Sequence, residues 1–126
     1  MKQYIIDELR YNDYEKVKLY LDENLGASEI GGIYWLPVDK EILTGEQAAH
    51  TECLPLFFVI DLKPELISCE LLVRTKNRIK CNCIDYATEK QRNWLIQYTD
   101  DMLRQLEISV WRYFATKTQK HGKIFV

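Results

Sequence analysis

The chain has 126 residues, 47% of them hydrophobic, and a formal net charge of −2. That describes a single domain with enough apolar content to bury a core without disulfides or a structural metal. Residues 1–53 carry 5 Lys/Arg against 11 Asp/Glu and residues 54–126 carry 12 against 8, so neither part is basic enough to mark a nucleic-acid binder, and nucleic acid is not expected as a partner.

The opening MKQYIIDELR contains acids and no apolar run of signal-peptide length, and no stretch approaches the ~18–20 apolar residues of a membrane span. The expectation is a cytoplasmic protein without a membrane partner. In that setting four cysteines are read as thiols or ligands rather than as structural disulfides.

Tyr4-Ile5-Ile6 suits a short strand and the first turn of a helix equally. From Asn12 the pattern is helical: Asn12 and Glu15 have capping-box spacing, Tyr14, Val17, Leu21 and Leu25 form one stripe, and Gly26 ends the run. Gly31-Gly32 breaks the chain before Ile33-Tyr34-Trp35-Leu36, a short strand closed by Pro37. Thr44 and Gln47 again have capping-box spacing, ahead of one or two helical turns that lead to His50 and Cys53.

Residues 54–84 read as a three-stranded antiparallel meander. Leu54, Leu56, Phe58, Ile60 and Leu62 share one face, and a four-residue turn through Pro64 brings Ile60 opposite Cys69. In the next segment Ile67, Cys69, Leu71 and Val73 fall on one side with Ser68, Glu70 and Arg74 on the other, and Ile79, Cys81 and Cys83 alternate with polar residues in the same way. Shared parity requires a three-residue turn at 75–77, which sets Val73 opposite Ile79, Leu71 opposite Cys81, and Cys69 opposite Cys83.

Thr88 and Gln91 open the last clear helix, whose stripe is Leu95, Tyr98, Met102 and Leu106. The 3.6-residue spacing continues through Val110, Tyr113 and Phe114 with no Gly or Pro before Gly122. A helix over 88–117 would be about 45 Å long at ~1.5 Å per residue, longer than so small a domain can cover. Residues 109–126 are therefore expected to pack on a second copy of the chain, making a homo-oligomer, with folding back on their own domain as the lesser alternative.

His50-x-x-Cys53 together with Cys81-x-Cys83 supplies one imidazole and three thiolates, the ligand set of a Cys₃His zinc site. The competing reading takes Cys69, Cys81 and Cys83 as small apolar residues of a sheet, as free cysteines often are. Strand spacing favours the latter, because it separates Cys81 and Cys83 by ~6.6–7 Å at Cα, while thiolates on one zinc lie about 3.8 Å apart for Zn–S bonds of ~2.3 Å. Cys69 and Cys83, opposed across the hairpin, are a candidate redox pair. His50 and Cys53 have the spacing of a base and a thiol nucleophile but lack an orienting third group, so no catalytic residue is assigned. Arg74, Lys76, Arg78 and Lys80 are candidate anion contacts, or solvated residues guarding a sheet.

The fold class that results is α+β: an antiparallel sheet of three to five strands, with the meander 54–84, packed against main helices 12–25 and 88–107 and followed by a helical extension. The domain spans 1–108, with 109–126 as the extension. Its expected function is that of a non-catalytic interaction or regulatory domain without a cofactor; the alternative is a thiol or zinc-binding protein using His50, Cys53, Cys81 and Cys83.

Overall fold

The computed structural model describes residues 2–76, 81 and 83–116. In order these form β1 (Lys2–Asp7), α1 (Tyr11–Leu25), β2 (Ile33–Pro37), α2 (Gly45–Ala49), β3 (Leu56–Leu62), β4 (Ile67–Glu70), β5 (Leu72–Thr75), β6 (Asp85–Tyr86), α3 (Glu89–Gln105) and β7 (Trp111–Thr116). Two 3₁₀ turns, Lys40–Ile42 and Thr51–Cys53, flank α2. The expected α+β class is what the chain adopts, but the described residues contribute seven strands to the sheet, more than the three to five expected.

The sheet is organised around β3. On one edge β3 pairs with β2, and on the other it pairs with β4 and β5, which are successive parts of one strand line. The four-residue turn forms, with Lys63 N–H on the Leu66 carbonyl at 2.8 Å, and Ile60 lies opposite Cys69 as the parity required. Between the two pairings β3 advances three residues, Ile60 to Phe57, while its partner advances five, Cys69 to Arg74. Two extra residues therefore bulge out near Leu71 without changing which face each side chain occupies.

At that bulge the partner on the far side changes. β1 pairs with β4, setting Tyr4 opposite Cys69, and the Leu71 N–H bonds the Lys2 carbonyl at 3.0 Å. Beyond it β6 takes over, pairing Leu72 with Tyr86 and Val73 with Asp85. The expected hairpin register is thus corrected: Cys69 has Ile60 on one side and Tyr4 on the other, so Cys83 is not its cross-strand neighbour. The described residues of the expected third strand, Cys81, Cys83 and Ile84, lie in a turn, and Ile79 lies outside the described residues.

One face of the sheet carries Tyr4, Ile6, Tyr34, Leu36, Phe58, Ile60, Ile67 and Cys69, all buried with Val17 and Leu21 of α1 and Leu95 and Met102 of α3 in one cluster. α1 begins two residues earlier than the Asn12 capping signal suggested. Its N-cap is Arg10, without a side-chain cap, and the buried Asp13 meets the Arg10 guanidinium at 3.2 Å. Gly32 is required where β2 starts: its φ is +86°, and a Cβ there would lie 2.3 Å from the Leu62 carbonyl oxygen.

The helical extension is also corrected. α3 stops at Gln105, and Glu107 adopts a φ of 58°. Its N–H bonds Arg104 O, and the Ile108 N–H bonds Leu103 O at 2.9 Å. That is the Schellman arrangement with Glu in the place usually held by Gly. The chain then reverses, and Trp111–Thr116 adds to β1 as an antiparallel strand, with Phe114 opposite Tyr4. Residues 111–116 therefore fold back onto their own domain, while 117–126 lie outside the described residues.

Candidate metal centre

His50 and Cys53 are presented by a tightly wound segment. The Thr44 hydroxyl accepts from the Gln47 N–H at 3.1 Å, and the Gln47 side-chain oxygen accepts from the Thr44 N–H at 3.0 Å, so the expected capping box starts α2. The helix ends after one turn: His50 donates its backbone N–H to Gln47 O, and Cys53 donates its own to His50 O at 2.9 Å. The three-residue step across this 3₁₀ turn puts the imidazole and the Cys53 sulfur on one side.

The opposite wall is the turn at 81–84, closed by the Ile84 N–H on the Cys81 carbonyl at 3.1 Å. Because this segment is not a strand, the separation that extended geometry would impose on Cys81 and Cys83 does not apply. Their sulfurs lie 3.0 Å apart. Cys81 Sγ is also 3.4 Å from Cys53 Sγ and 3.1 Å from His50 Nδ1. All four ligand atoms fall within 4.8 Å of one another. These separations bracket the roughly 3.8 Å between thiolates on a tetrahedral zinc, so side-chain rotation alone can spread the donors around an ion.

Cys53 and Cys83 are buried at 0% and 1% exposure, whereas His50 and Cys81 are half-exposed. The site thus has a closed floor and an accessible rim. Electrostatically the two cysteines of the 81–84 turn are opposites. The Cys81 thiol is held down to about 6 by the backbone N–H of Cys83, then by the Cys83 side chain, with smaller hydrogen bonds from Cys53 and His50. Burial pushes the Cys83 thiol up to about 12, and its contacts with Cys81 and Cys53 add to the rise. One stable thiolate among further soft donors would give a thiophilic cation a first foothold, and the remaining thiols would have to lose their protons for an ion to be held.

The other candidates are arranged differently. Cys69 is fully buried between β1 and β3, where burial pushes its thiol up to about 12. None of the four cysteines is in a disulfide. Arg74 faces Glu70 at 3.6 Å, and the Lys76 ammonium sits over the rings of Phe57 and Trp35 at 4.9 and 5.2 Å, so both cations make internal contacts. Arg78 and Lys80 lie outside the described residues. No helix among the described residues is long and apolar enough to cross a membrane.

Two residues noted in the sequence only as helix caps belong to the surroundings of this site. The buried Gln47 side chain donates through Nε2 to the Cys83 carbonyl at 3.2 Å. Gln91, from the capping box of α3, donates through Nε2 to Gln47 Oε1 at 2.8 Å and to Ile42 O at 3.0 Å. The available signal was the pair of Thr-x-x-Gln motifs, each with an amide where a carboxylate would cap as well. Comparison with protein-family models, curated proteins and solved structures returns no significant match, so function is read from the chemistry of the site itself.

Proposed function

We propose that this chain is a zinc-binding, non-catalytic domain in which His50, Cys53, Cys81 and Cys83 hold one Zn²⁺. The observation that carries this reading is the convergence of all four donor atoms within 4.8 Å. Burial of apolar side chains gives sulfur atoms a reason to be inside, but it gives none for a half-exposed imidazole to close a ring of three sulfurs. Three thiolates and an imidazole are a soft, tetrahedral set that suits zinc better than the oxygen-seeking cations.

Four protein ligands leave no open position for water or substrate, which is the arrangement of a structural rather than a catalytic zinc. The ion's role is mechanical: it ties the α2 turn to the 81–84 turn and so fixes the segment that leads into β6 and α3. Elemental analysis of protein purified without chelator tests this directly. One zinc per chain is expected, falling to none when Cys81 and Cys83 are both replaced by Ser. A wild-type protein with well under one metal ion per chain, and with Cys53, Cys81 and Cys83 all open to thiol reagents in the native state, would contradict the reading.

A further inference from the structure

Resting on that zinc reading, we propose that Gln47 and Gln91 are positioning residues of the metal centre, forming an amide relay that sets the place of Cys83 and with it the affinity for zinc. The relay runs through the two helix caps. The Thr88 N–H donates to Gln91 Oε1 at 3.0 Å, which fixes the Gln91 amide with its NH₂ pointing away from the cap. Both of the hydrogens on that NH₂ find acceptors, Ile42 O and Gln47 Oε1. Gln47 Oε1 also accepts from the Thr44 N–H at 3.0 Å, which in turn fixes the Gln47 amide so that its nitrogen meets the Cys83 carbonyl. Neither of these two amides can be flipped without setting two donors or two acceptors against each other.

Gln47 and Gln91 are 3% and 0% exposed, so an unmade bond in the relay has no water to replace it. The consequence for the site is geometric. Cys83 comes from a turn, not from the sheet ladder, and the Gln47 amide is what ties its carbonyl to the wall that carries His50 and Cys53. Outer groups that orient a ligand in this way are worth roughly 10–100-fold in metal affinity.

The identity of the two residues separates this role from capping. A capping box accepts Glu as readily as Gln at its third position, and a carboxylate there adds a favourable charge to the helix N-terminus. Were capping the only task, Gln47→Glu and Gln91→Glu would leave the zinc affinity untouched, whatever a buried carboxylate costs the fold. In the relay both are damaging: Glu at 47 cannot donate to Cys83 O, and Glu at 91 turns an oxygen toward Gln47 Oε1 and Ile42 O.

The test is zinc affinity by competition with a chromophoric chelator for the wild type, Q47E, Q91E and the remote core variant V17A, with the cobalt(II) absorption spectrum as a second readout. Q47E and Q91E are expected to raise the zinc dissociation constant about 10–100-fold. Q47E should also shift the cobalt d–d bands, whereas V17A should lower the melting temperature and leave the dissociation constant unaltered. Wild-type affinity in both Glu variants would overturn the relay while leaving the zinc reading intact; a wild type that takes up neither zinc nor cobalt would overturn both. If the Glu variants do not fold, the side-chain NH₂ signals of wild-type protein decide. Zinc should shift and slow the exchange of the Gln91 signals as well as those of Gln47, and Gln91 signals that do not respond to zinc would refute the relay.

Discussion

β4 contributes one cysteine and the 81–84 turn two, all in stretches that alternate with polar residues, yet the structure gives the two regions opposite surroundings. Cys69 lies in the middle of the sheet, opposite Ile60 on one side and Tyr4 on the other, with its thiol pushed up to about 12 by burial. Cys81 lies in a turn on the rim of a polar cluster, with its thiol held down to about 6 by the Cys83 N–H and neighbouring side chains. The same residue type is thus a core group with a raised thiol in one place and a partly exposed thiol with a lowered value in the other. What differs is burial, which raises the Cys69 thiol, against the Cys83 N–H and neighbouring side chains, whose hydrogen bonds lower that of the less buried Cys81.

Metal removal should break the comparison most strongly. Chelation of the zinc-loaded protein is expected to lower its apparent stability by about 4 kcal/mol if zinc was present at a thousandfold its dissociation constant. The loss should be local at first. Exchange of the Cys53 and Ile84 amides, bonded to His50 O and Cys81 O, should accelerate, while the Cys69 amide in the central strand stays slow. Equal acceleration at all three positions, followed by hydrogen exchange and mass spectrometry, would show that the two regions are not distinct.

Alkylation of the metal-free protein gives the next largest contrast. At pH 7 Cys81 should react with iodoacetamide on the order of a hundredfold or more faster than Cys69, because only the deprotonated, accessible thiol is a nucleophile. A thiol whose value is lowered to about 6 remains thiolate above that pH. The Cys81 rate should therefore be flat between pH 7 and 9 and fall as the pH drops through about 6. A rate that still climbs between pH 8 and 9 would mean that the Cys83 N–H does not stabilise the thiolate.

Replacing Cys69 by Ser is the smallest of the three. It leaves a hydroxyl at a fully buried position, expected to cost about 1–3 kcal/mol in urea unfolding, with the zinc content unaltered. Loss of zinc from that variant would tie β4 to the site and refute the separation.

How much of this was legible depended on the range of the interaction. Both capping boxes, at Thr44 and Thr88, are visible because they are complete within four residues. The Ile60–Cys69 register is visible because a short turn transmits parity. The insertion of β1 beside β4 is not visible, since nothing in residues 2–7 specifies a partner more than sixty residues away.

Two errors had local causes. Cys81 and Cys83 mimic strand alternation because two cysteines separated by one residue produce the same period of two wherever they lie. In the tail, Phe114 meets Tyr4 at alternate-residue spacing, and the break before it rests on Glu107 at positive φ, which a search for Gly and Pro passes over. The four candidate ligands were all identifiable by residue type. Their convergence was not, because it requires knowing that 81–84 is a turn.

X-ray absorption at the zinc edge of the purified protein tests the central claim most directly, since it reads the ligands without a mutation. The site predicts three sulfur atoms at about 2.3 Å and one nitrogen at about 2.0–2.1 Å. A shell of nitrogen and oxygen alone, or one with fewer than three sulfurs, would contradict it.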